Sequence, residues 1–148
     1  MDHNVLGVIT SLRELSSQLD RLDEAAAAHY GLNRTDMRAL DILGREGPLA
    51  PTDLAHRVGF TTGGITTVID RLERAGYVIR RRDESDRRRL LIEITDATRE
   101  RDRAVFGGLF ESAEAIATGY KDRDLQTIRG FIDKVSHATA TYAATLSG

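Results

Sequence analysis

Hydrophobic positions in the first thirty residues recur at alternating steps of three and four. The repeat runs through Val5, Val8, Leu12 and Leu15 and continues to residue 29. A spacing that averages 3.5 residues is typical of α-helices that pack side by side along a seam. We therefore predict one helix over residues 5–29, about 37 Å long. Such a helix is longer than a small domain needs to cover its own core.

A second, shorter helical pattern follows this long helix. Asn33-Arg34-Thr35 provides side chains that cap a helix, and Asp36 would lie in the first turn, where a carboxylate is favourable. The apolar positions stop before Gly47-Pro48, a pair that ends a helix. Leu49-Ala50 is too short for more than a single edge strand.

Two short helices with a tight turn between them are predicted next. Pro51 suits the first position of a helix, and Gly59 can adopt the left-handed conformation that ends one. Thr61 or Thr62 then caps a further helix, which runs to Gly76. Two helices joined by a short turn that contains glycine form a helix-turn-helix.

The hydrophobic period changes from 3.6 to 2 after this unit. Residues 77–82 and 89–94 read as two strands, and the polar segment 83–88 between them has turn-forming composition. A β-hairpin that directly follows a helix-turn-helix is the wing of a winged helix. The last part of the chain returns to helical spacing, with a cap at Thr95-Asp96 and one helix before and one after residue 121.

The pattern thus predicts a mainly α, α+β fold. It is a winged helix-turn-helix with a two-stranded β-hairpin wing, flanked by long N- and C-terminal helices. We assign residues 1–34 to an N-terminal dimerisation helix, 35–95 to a DNA-binding module and 96–148 to C-terminal dimerisation helices. One monomer could also pack its terminal helices on each other, but their length beside a compact module favours an interface between two copies.

Charge is unevenly distributed along the 148 residues. The formal net charge is only −2, yet the segment 56–89 contains nine Arg and five acidic residues. A basic block in a near-neutral chain is the pattern of a local nucleic-acid footprint, although a charged stretch is also an ordinary solvated surface. The chain as a whole uses 19 Arg and two Lys, so part of the block reflects composition.

Several classes of protein are disfavoured. The absence of cysteine excludes disulfides and thiolate metal sites. The four histidines are scattered, and no phosphate-binding glycine loop or nucleophile motif occurs, so we expect neither an enzyme nor a cofactor. No apolar run approaches the ~20 residues that span a membrane, and the N-terminus lacks the pattern of a signal peptide. A cytoplasmic protein without membrane contact is the expectation.

At this point the sequence resembles the MarR family of bacterial winged-helix regulators over nearly its whole length. The order of elements is the same, and four local strings are similar. These are Thr52–Val58, which resembles the first helix of the family's helix-turn-helix; Gly63–Gly76, its recognition helix; Asp83 with Asp86–Arg88, its wing signature; and Ile94-Thr95. Two positions depart from the family pattern: Thr98 replaces a usual glycine, and Ala50 replaces a usual capping Ser or Thr.

The resemblance implies a homodimer that binds a pseudo-palindromic operator in double-stranded DNA. Its recognition helices would enter successive major grooves and its wings the flanking minor grooves, with a small-molecule pocket between the dimerisation and DNA-binding parts. It also implies that Arg88 pairs with Asp70 and fixes the angle of the wing. Asp70 could instead pair with Arg74 one turn away on the same helix.

The recognition helix should meet DNA with its first turn and its polar face. Unpaired backbone N–H groups and the helix dipole favour phosphate at the first turn, and Thr and Arg side chains can contact base edges. Gly63-Gly64 either lets the backbone approach DNA closely or is merely tolerated in a first turn. The predicted contacts are Thr61, Thr62, Gly63, Gly64, Thr66, Thr67, Arg71 and Arg74.

The wing should contribute cations. Arg87 and Arg88 lie at its tip, where Arg can enter a narrow minor groove, and the arginines at 80–82 serve the phosphate backbone or pair with acids of the wing. The wing residues predicted to contact DNA are Arg80, Arg82, Arg87, Arg88 and Arg89.

Two further sets complete the prediction. The dimer interface is assigned to Val5, Val8, Leu12, Leu15, Ile128, Ile132, Val135 and Tyr142. A pocket for a small anionic or aromatic effector is assigned to His29, Tyr30 and Arg38. The predicted function is that of a sequence-specific transcriptional regulator, a repressor, released from DNA by such an effector. The alternative is a winged-helix protein-interaction or assembly module, which would expose an apolar patch on the recognition face.

Overall fold

The computed structural model describes residues 2–146, which fold into helices and one β-hairpin. This confirms the predicted mainly helical, winged-helix fold. In chain order the elements are α1 (His3–Tyr30), α2 (Arg34–Glu46), α3 (Pro51–Val58), α4 (Thr62–Arg74), β1 (Val78–Arg82), β2 (Leu90–Ile94), α5 (Asp96–Ala117) and α6 (Asp122–Leu146).

The helix ends follow the capping chemistry of the sequence. Asn33 caps α2 by accepting a hydrogen bond from the backbone N–H of Asp36 at 2.8 Å. Thr61 caps α4 through the N–H of Gly64, which settles the choice between Thr61 and Thr62. Ala50 occupies the N-cap position of α3 without a side-chain hydrogen bond, and Gly59 ends this helix with a φ of 84°.

The core lies among α2, α3, α4 and the hairpin. Each of these elements contributes apolar side chains that are almost completely buried. They include the apolar helix faces that the hydrophobic periodicity predicted. These side chains are Leu40, Leu43, Leu54, Ile65, Val68, Ile69, Leu72, Val78 and Ile92. The helix-turn-helix is therefore held from behind, and the opposite side of α4 faces outward.

The hairpin pairs β1 and β2 in antiparallel register, from Val78 opposite Ile94 to Arg82 opposite Leu90. Leu49 adds a single bridge to Ile92, with N···O distances of 3.1 and 2.8 Å, as predicted for Leu49-Ala50. Thr98, expected to replace a glycine, is buried, and its hydroxyl is bonded to the Tyr77 carbonyl at 2.9 Å and to the Thr95 hydroxyl at 2.8 Å.

The chain divides into two compact units, Met1–Arg101 and Asp102–Gly148. The first contains α1 to α4, the hairpin and the first residues of α5. In the second, no side chain from residue 102 to residue 146 is buried. The division of roles among residues 1–34, 35–95 and 96–148 stays a prediction. Over residues 2–146, no helix is long and apolar enough to span a membrane.

Large apolar side chains are exposed along the predicted seams. On α1, Val5, Val8 and Leu15 are 45–53% exposed, and the buried residues of this helix, Ala26, Ala27 and Tyr30, lie in its last turns. Within the second unit the exposed apolar residues are Leu109, Phe110, Ile116, Tyr120, Ile128, Phe131, Ile132, Tyr142 and Leu146.

Candidate nucleic-acid interface

The outward face of α4 is polar and made of small residues. Thr62, Thr66 and Thr67 are exposed, whereas the neighbouring Ile65 and Val68 are buried, as the period predicted. The hydroxyl of Thr66 donates to the carbonyl of Thr62 at 3.1 Å, which leaves its oxygen lone pairs free to accept. This face can offer hydroxyl groups and methyl groups to base edges; contact with DNA stays a prediction.

Gly63 and Gly64 form the first turn of this face. A Cβ added at position 63 would meet nothing within 4 Å, and one at position 64 would lie 3.4 Å from the Thr61 hydroxyl oxygen and 3.8 Å from Phe60. The protein's own packing therefore does not require glycine at 63. The absence of a side chain there leaves the backbone N–H groups of Thr62 and Gly63 open to a phosphate, whereas that of Gly64 is bonded to the Thr61 cap.

Arg71, which was predicted to contact guanine or phosphate, is bonded to a carboxylate in the structure. Its Nε donates to Asp36 at 2.8 Å and its Nη2 at 2.6 Å, which makes a two-point contact between α4 and α2. These hydrogen bonds raise the pKa of Arg71 above its ordinary value. The guanidinium is committed to a carboxylate whose side chain is only 3% exposed.

The predicted pair between Asp70 and Arg88 does not form. Asp70 instead accepts from Arg80, which also donates to Glu73. The reason is topological: Arg80 lies in the middle of β1, the strand that leaves α4, whereas Arg88 lies in the turn at the far end of the hairpin. The hydrogen bonds to Asp70 and the nearby Glu73 raise the pKa of Arg80, and its guanidinium joins wing to helix instead of facing outward.

Three arginines of the wing have no carboxylate partner within the described chain. Arg82, Arg87 and Arg88 are exposed, and no ion pair joins any of them to another of residues 2–146. The neighbouring Arg89 does have such a partner, since its Nη1 lies 3.9 Å from Oδ2 of Asp83. On α4, Arg74 is exposed and likewise without an ion pair in the described part of the chain.

Asp83 shapes the turn of the wing. Its carboxylate accepts from the hydroxyl of Ser85 at 2.7 Å and from the backbone N–H of Ser85 at 2.8 Å. These two hydrogen bonds are the main cause that lowers the pKa of Asp83 below its ordinary value. The turn that presents Arg87 and Arg88 is therefore held by local bonds rather than by the predicted bond to Asp70.

A second carboxylate fastens the base of the wing. Glu93 of β2 accepts from Arg81 of β1 and, at 2.9 Å, from Arg99 of α5. Arg81 was expected to contact a phosphate or to pair with an acid of the wing, and in the structure it pairs with Glu93. Glu93 therefore joins both strands of the hairpin to the first turns of α5.

His29 and Tyr30, two residues of the predicted effector pocket, lie in a cluster that we call the tyrosine cluster, formed with Tyr77 and Arg101. The Tyr77 hydroxyl donates to the carbonyl of Tyr30 at 2.6 Å and accepts from Arg101 at 3.1 Å. Arg101 also donates to the carbonyl of His29 at 2.8 Å, and its guanidinium carbon lies 4.5 Å from the centre of the Tyr30 ring.

The effector pocket stays a prediction. Tyr30 is 4% exposed beneath Arg101, whereas Arg38 is exposed on α2. A shallow hollow lies elsewhere, lined by Leu49, Asp53, His56 and Arg57. Among residues 2–146, no group of three His, Asp or Glu side chains could hold a metal ion.

Four residues of this region were not identified from the sequence. Asp36 was read only as a first-turn acid, and its partner 35 residues away leaves no local signal. Tyr77 was read as a strand residue, and nothing marked Arg101 or the 43% exposed Phe60, which lies between α3 and α4. An exposed aromatic residue in a helix-turn-helix turn is the one signal that could have been noticed.

Three comparisons with known proteins agree with this arrangement. Residues 30–89 match the sequence model of the MarR family. The uncharacterized HTH-type transcriptional regulator YcgE of Bacillus subtilis is 36% identical over 124 residues, which are 84% of this chain and 80% of YcgE. The HTH-type transcriptional repressor YetL of the same organism is 30% identical over 126 residues, 84% of this chain and 75% of YetL.

Solved structures share the fold. A MarR family protein from Bacillus stearothermophilus superimposes with a TM-score of 0.65 at 19% identity, covering 95% of this chain and 99% of that one. A single-residue mutant of MepR from S. aureus, bound to an oligodeoxyribonucleotide, gives a TM-score of 0.57 at 16% identity, over 89% and 97% of the two chains. The chain belongs to the MarR family of HTH-type transcriptional regulators.

Proposed function

We propose that this regulator is a homodimer that represses transcription by binding a pseudo-palindromic operator, with α4 in the major groove and the hairpin tip in the minor groove. The observation that carries the proposal is the surface around α4. Its outward face holds Thr and Gly residues, and the exposed cations beside it, Arg74, Arg82, Arg87 and Arg88, form no ion pair with an acid among residues 2–146.

The internal ion pairs strengthen this assignment. The two acids of α4, Asp70 and Glu73, both form ion pairs with Arg80. One guanidinium thus compensates part of the negative charge of the two carboxylates, which therefore repel a phosphate backbone less. Among the charges of α4 and the wing that have no ion pair within residues 2–146, four arginines, Arg74, Arg82, Arg87 and Arg88, outnumber the two acids Glu84 and Asp86. The excess is positive, which is the charge that a duplex attracts.

A second copy of the chain would supply what one copy lacks. Four exposed Arg and one short helix make few contacts for a specific complex, whereas two copies at half-sites one helical turn apart double them. The exposed apolar residues of α1 and α6, among them Val5, Val8, Ile128 and Ile132, offer a surface for a partner to cover. YetL, a relative with the same domain, is named a repressor.

The alternative function is a protein-interaction module without DNA. It requires an apolar patch on the recognition face, and the exposed side chains of α4 are those of Thr, Asp and Arg instead. Phe60 and Ile79, 43% and 46% exposed, are apolar exceptions near that face, one in the turn before α4 and one on β1. Release of the protein from DNA by a small anionic or aromatic effector stays a prediction.

Fluorescence anisotropy tests the proposal. The labelled probe is the DNA upstream of the protein's own gene, titrated with protein at several salt concentrations and competed with a scrambled duplex. We expect preference for the upstream DNA, saturation at one dimer per site, and a steep loss of affinity with salt because several phosphates are contacted. Equal, weak binding to both duplexes, followed by no enrichment of any sequence from random genomic fragments, would overturn the proposal.

A further inference from the structure

The carboxylate of Asp36 lies behind the recognition helix and bonds to it. We propose that Asp36 is a positioning residue for DNA recognition, which acts through Arg71 to fix how α4 is rotated about its own axis. The inference rests on the proposed function, because a positioning residue needs a DNA complex to position. Asp36 itself is only 2% exposed and cannot touch DNA.

The geometry of the pair restricts rotation. Both oxygens of the Asp36 carboxylate accept, one from Nε at 2.8 Å and the other from Nη2 at 2.6 Å. A planar guanidinium held at two points by a planar carboxylate has one preferred orientation, unlike a single-point contact. The residue that carries this fork, Arg71, lies one turn after Thr67 on the proposed reading helix.

Asp36 is in turn held by the cap of α2. The side-chain amide of Asn33 donates to Asp36 Oδ2 at 3.1 Å, and its carbonyl oxygen accepts from the Asp36 N–H at 2.8 Å. Asp36 also lies in the first turn of α2, where the helix dipole stabilises a negative charge. A continuous set of hydrogen bonds thus runs from the N-terminus of α2 to the side of α4.

The apolar core alone does not provide this restraint. Ile65, Ile69 and Leu72 bury α4 against its neighbours, but apolar attraction has no preferred direction and permits small rolls of a helix. Base-edge contacts by short side chains such as Thr66 and Thr67 need placement to about 0.5 Å. A directional bond on the buried side of α4 supplies the accuracy that hydroxyl groups on its outer side require.

The competing explanation is that Arg71 contacts DNA directly and forms its ion pair with Asp36 only when DNA is absent. The two explanations predict opposite effects of removing the carboxylate charge. If Arg71 reads DNA, Asp36→Asn releases a cation and strengthens binding. If Asp36 positions α4, the same substitution weakens binding to the operator although the protein becomes more positive.

The experiment measures the dissociation constants of Asp36→Asn for the operator and for a scrambled duplex. We expect the operator constant to rise about tenfold, with binding to scrambled DNA unchanged or stronger. Asp41→Asn is the matched control: it makes the same charge change on α2, where Asp41 is exposed and pairs with Arg45 at 3.0 Å. The control should leave the ratio of the two constants as in the wild type.

Arg71→Lys provides a second test that does not depend on the folding of the first variant. Lysine keeps the charge but cannot make the two-point bond. We therefore expect Arg71→Lys to lose less operator preference than Asp36→Asn does, and to keep the wild-type affinity for scrambled DNA. A variant that is folded by circular dichroism and keeps the wild-type ratio of affinities overturns the positioning role of Asp36. Absence of any operator preference in the wild type is a different result, which overturns the proposed function and this inference together.

Discussion

Arginine side chains in the central module have two kinds of surroundings. Arg71, Arg80 and Arg81 each reach a carboxylate of another element, so they hold the fold together. Arg87 and Arg88 reach none among the described residues and remain exposed at the hairpin tip. A count of basic residues along the sequence therefore overestimates the charge that is available to DNA.

The first prediction concerns the tip. Arg88→Ala should weaken operator binding and reduce the slope of log affinity against log salt by about one for each phosphate that the protein no longer reaches. The thermal unfolding temperature should not change, because Arg88 makes no side-chain bond within the described chain. Anisotropy at four salt concentrations measures the slope, and Arg45→Ala, an exposed arginine of α2, is the control. An unchanged slope would show that Arg88 does not reach a phosphate.

The second prediction concerns the bare first turn of α4. Gly63→Ala should raise the free energy of unfolding by up to about 1 kcal/mol, because alanine favours the helix and its methyl group enters open space. The same variant should bind the operator more weakly if DNA approaches this backbone. Urea unfolding and anisotropy measure the two effects. A stabilised variant with wild-type affinity would mean that glycine is simply tolerated at this position.

At the scale of elements, the tyrosine cluster joins three segments that are distant in sequence. The end of α1, the segment between α4 and β1 and the second turn of α5 meet at the hydroxyl of Tyr77 and the guanidinium of Arg101. Arg101 also bonds to the carbonyl of His29 in the last turn of α1, where helix carbonyls lack partners within the helix. The cluster fixes the end of α1 to Tyr77 and to the start of α5 inside the first unit.

The third prediction tests this cluster. Tyr77→Phe removes the hydrogen bond to the Tyr30 carbonyl and the one accepted from Arg101, so the free energy of unfolding should fall by about 1–2 kcal/mol. Urea unfolding at a fixed protein concentration measures the loss, because dimerisation would make stability depend on concentration. Tyr120→Phe is the control, since Tyr120 is 52% exposed. A loss in the control as large as in Tyr77→Phe would contradict the prediction.

The elements themselves were predictable because they depend on local signals. Capping residues, Gly59 and the change of period after Gly76 determine where helices and strands begin and end, and the predicted bounds agree with the structure to within about two residues. The partners of the arginines were not predictable. Asp36 and Arg71 are 35 residues apart in the sequence. Asp70 pairs with Arg80 instead of Arg88 because of where the hairpin lies over α4, which the sequence does not reveal.

At the scale of the whole molecule, the exposed apolar residues of α6 require an explanation. Ile128, Phe131 and Ile132 are 41–44% exposed, and no side chain of this helix is buried in the described chain. Single exposed apolar residues are ordinary, but a run at helical spacing marks a surface that another protein covers. The dimer is the partner that the proposed function needs.

The fourth prediction follows. Ile132→Asp places a charge in the surface that the second copy would bury, so the mass in sedimentation velocity should fall from dimer to monomer. Operator affinity should fall with it, because one half-site remains per particle. Gln126→Asp adds the same charge to the same helix outside the predicted seam and should remain dimeric. A dimeric Ile132→Asp protein would place the interface elsewhere.

The two sides of α4 also have a consequence for engineering and for evolution. The bonds that fasten this helix to its neighbours involve Asp36, Asp70, Glu73, Arg71 and Arg80. Within residues 2–146, the threonines at 62, 66 and 67 and the glycine at 63 make no side-chain bond to another element. A randomised library at these four outward positions should therefore give folded variants in high yield. Lineages that diverge at the same four positions could acquire new target sequences while they keep one scaffold.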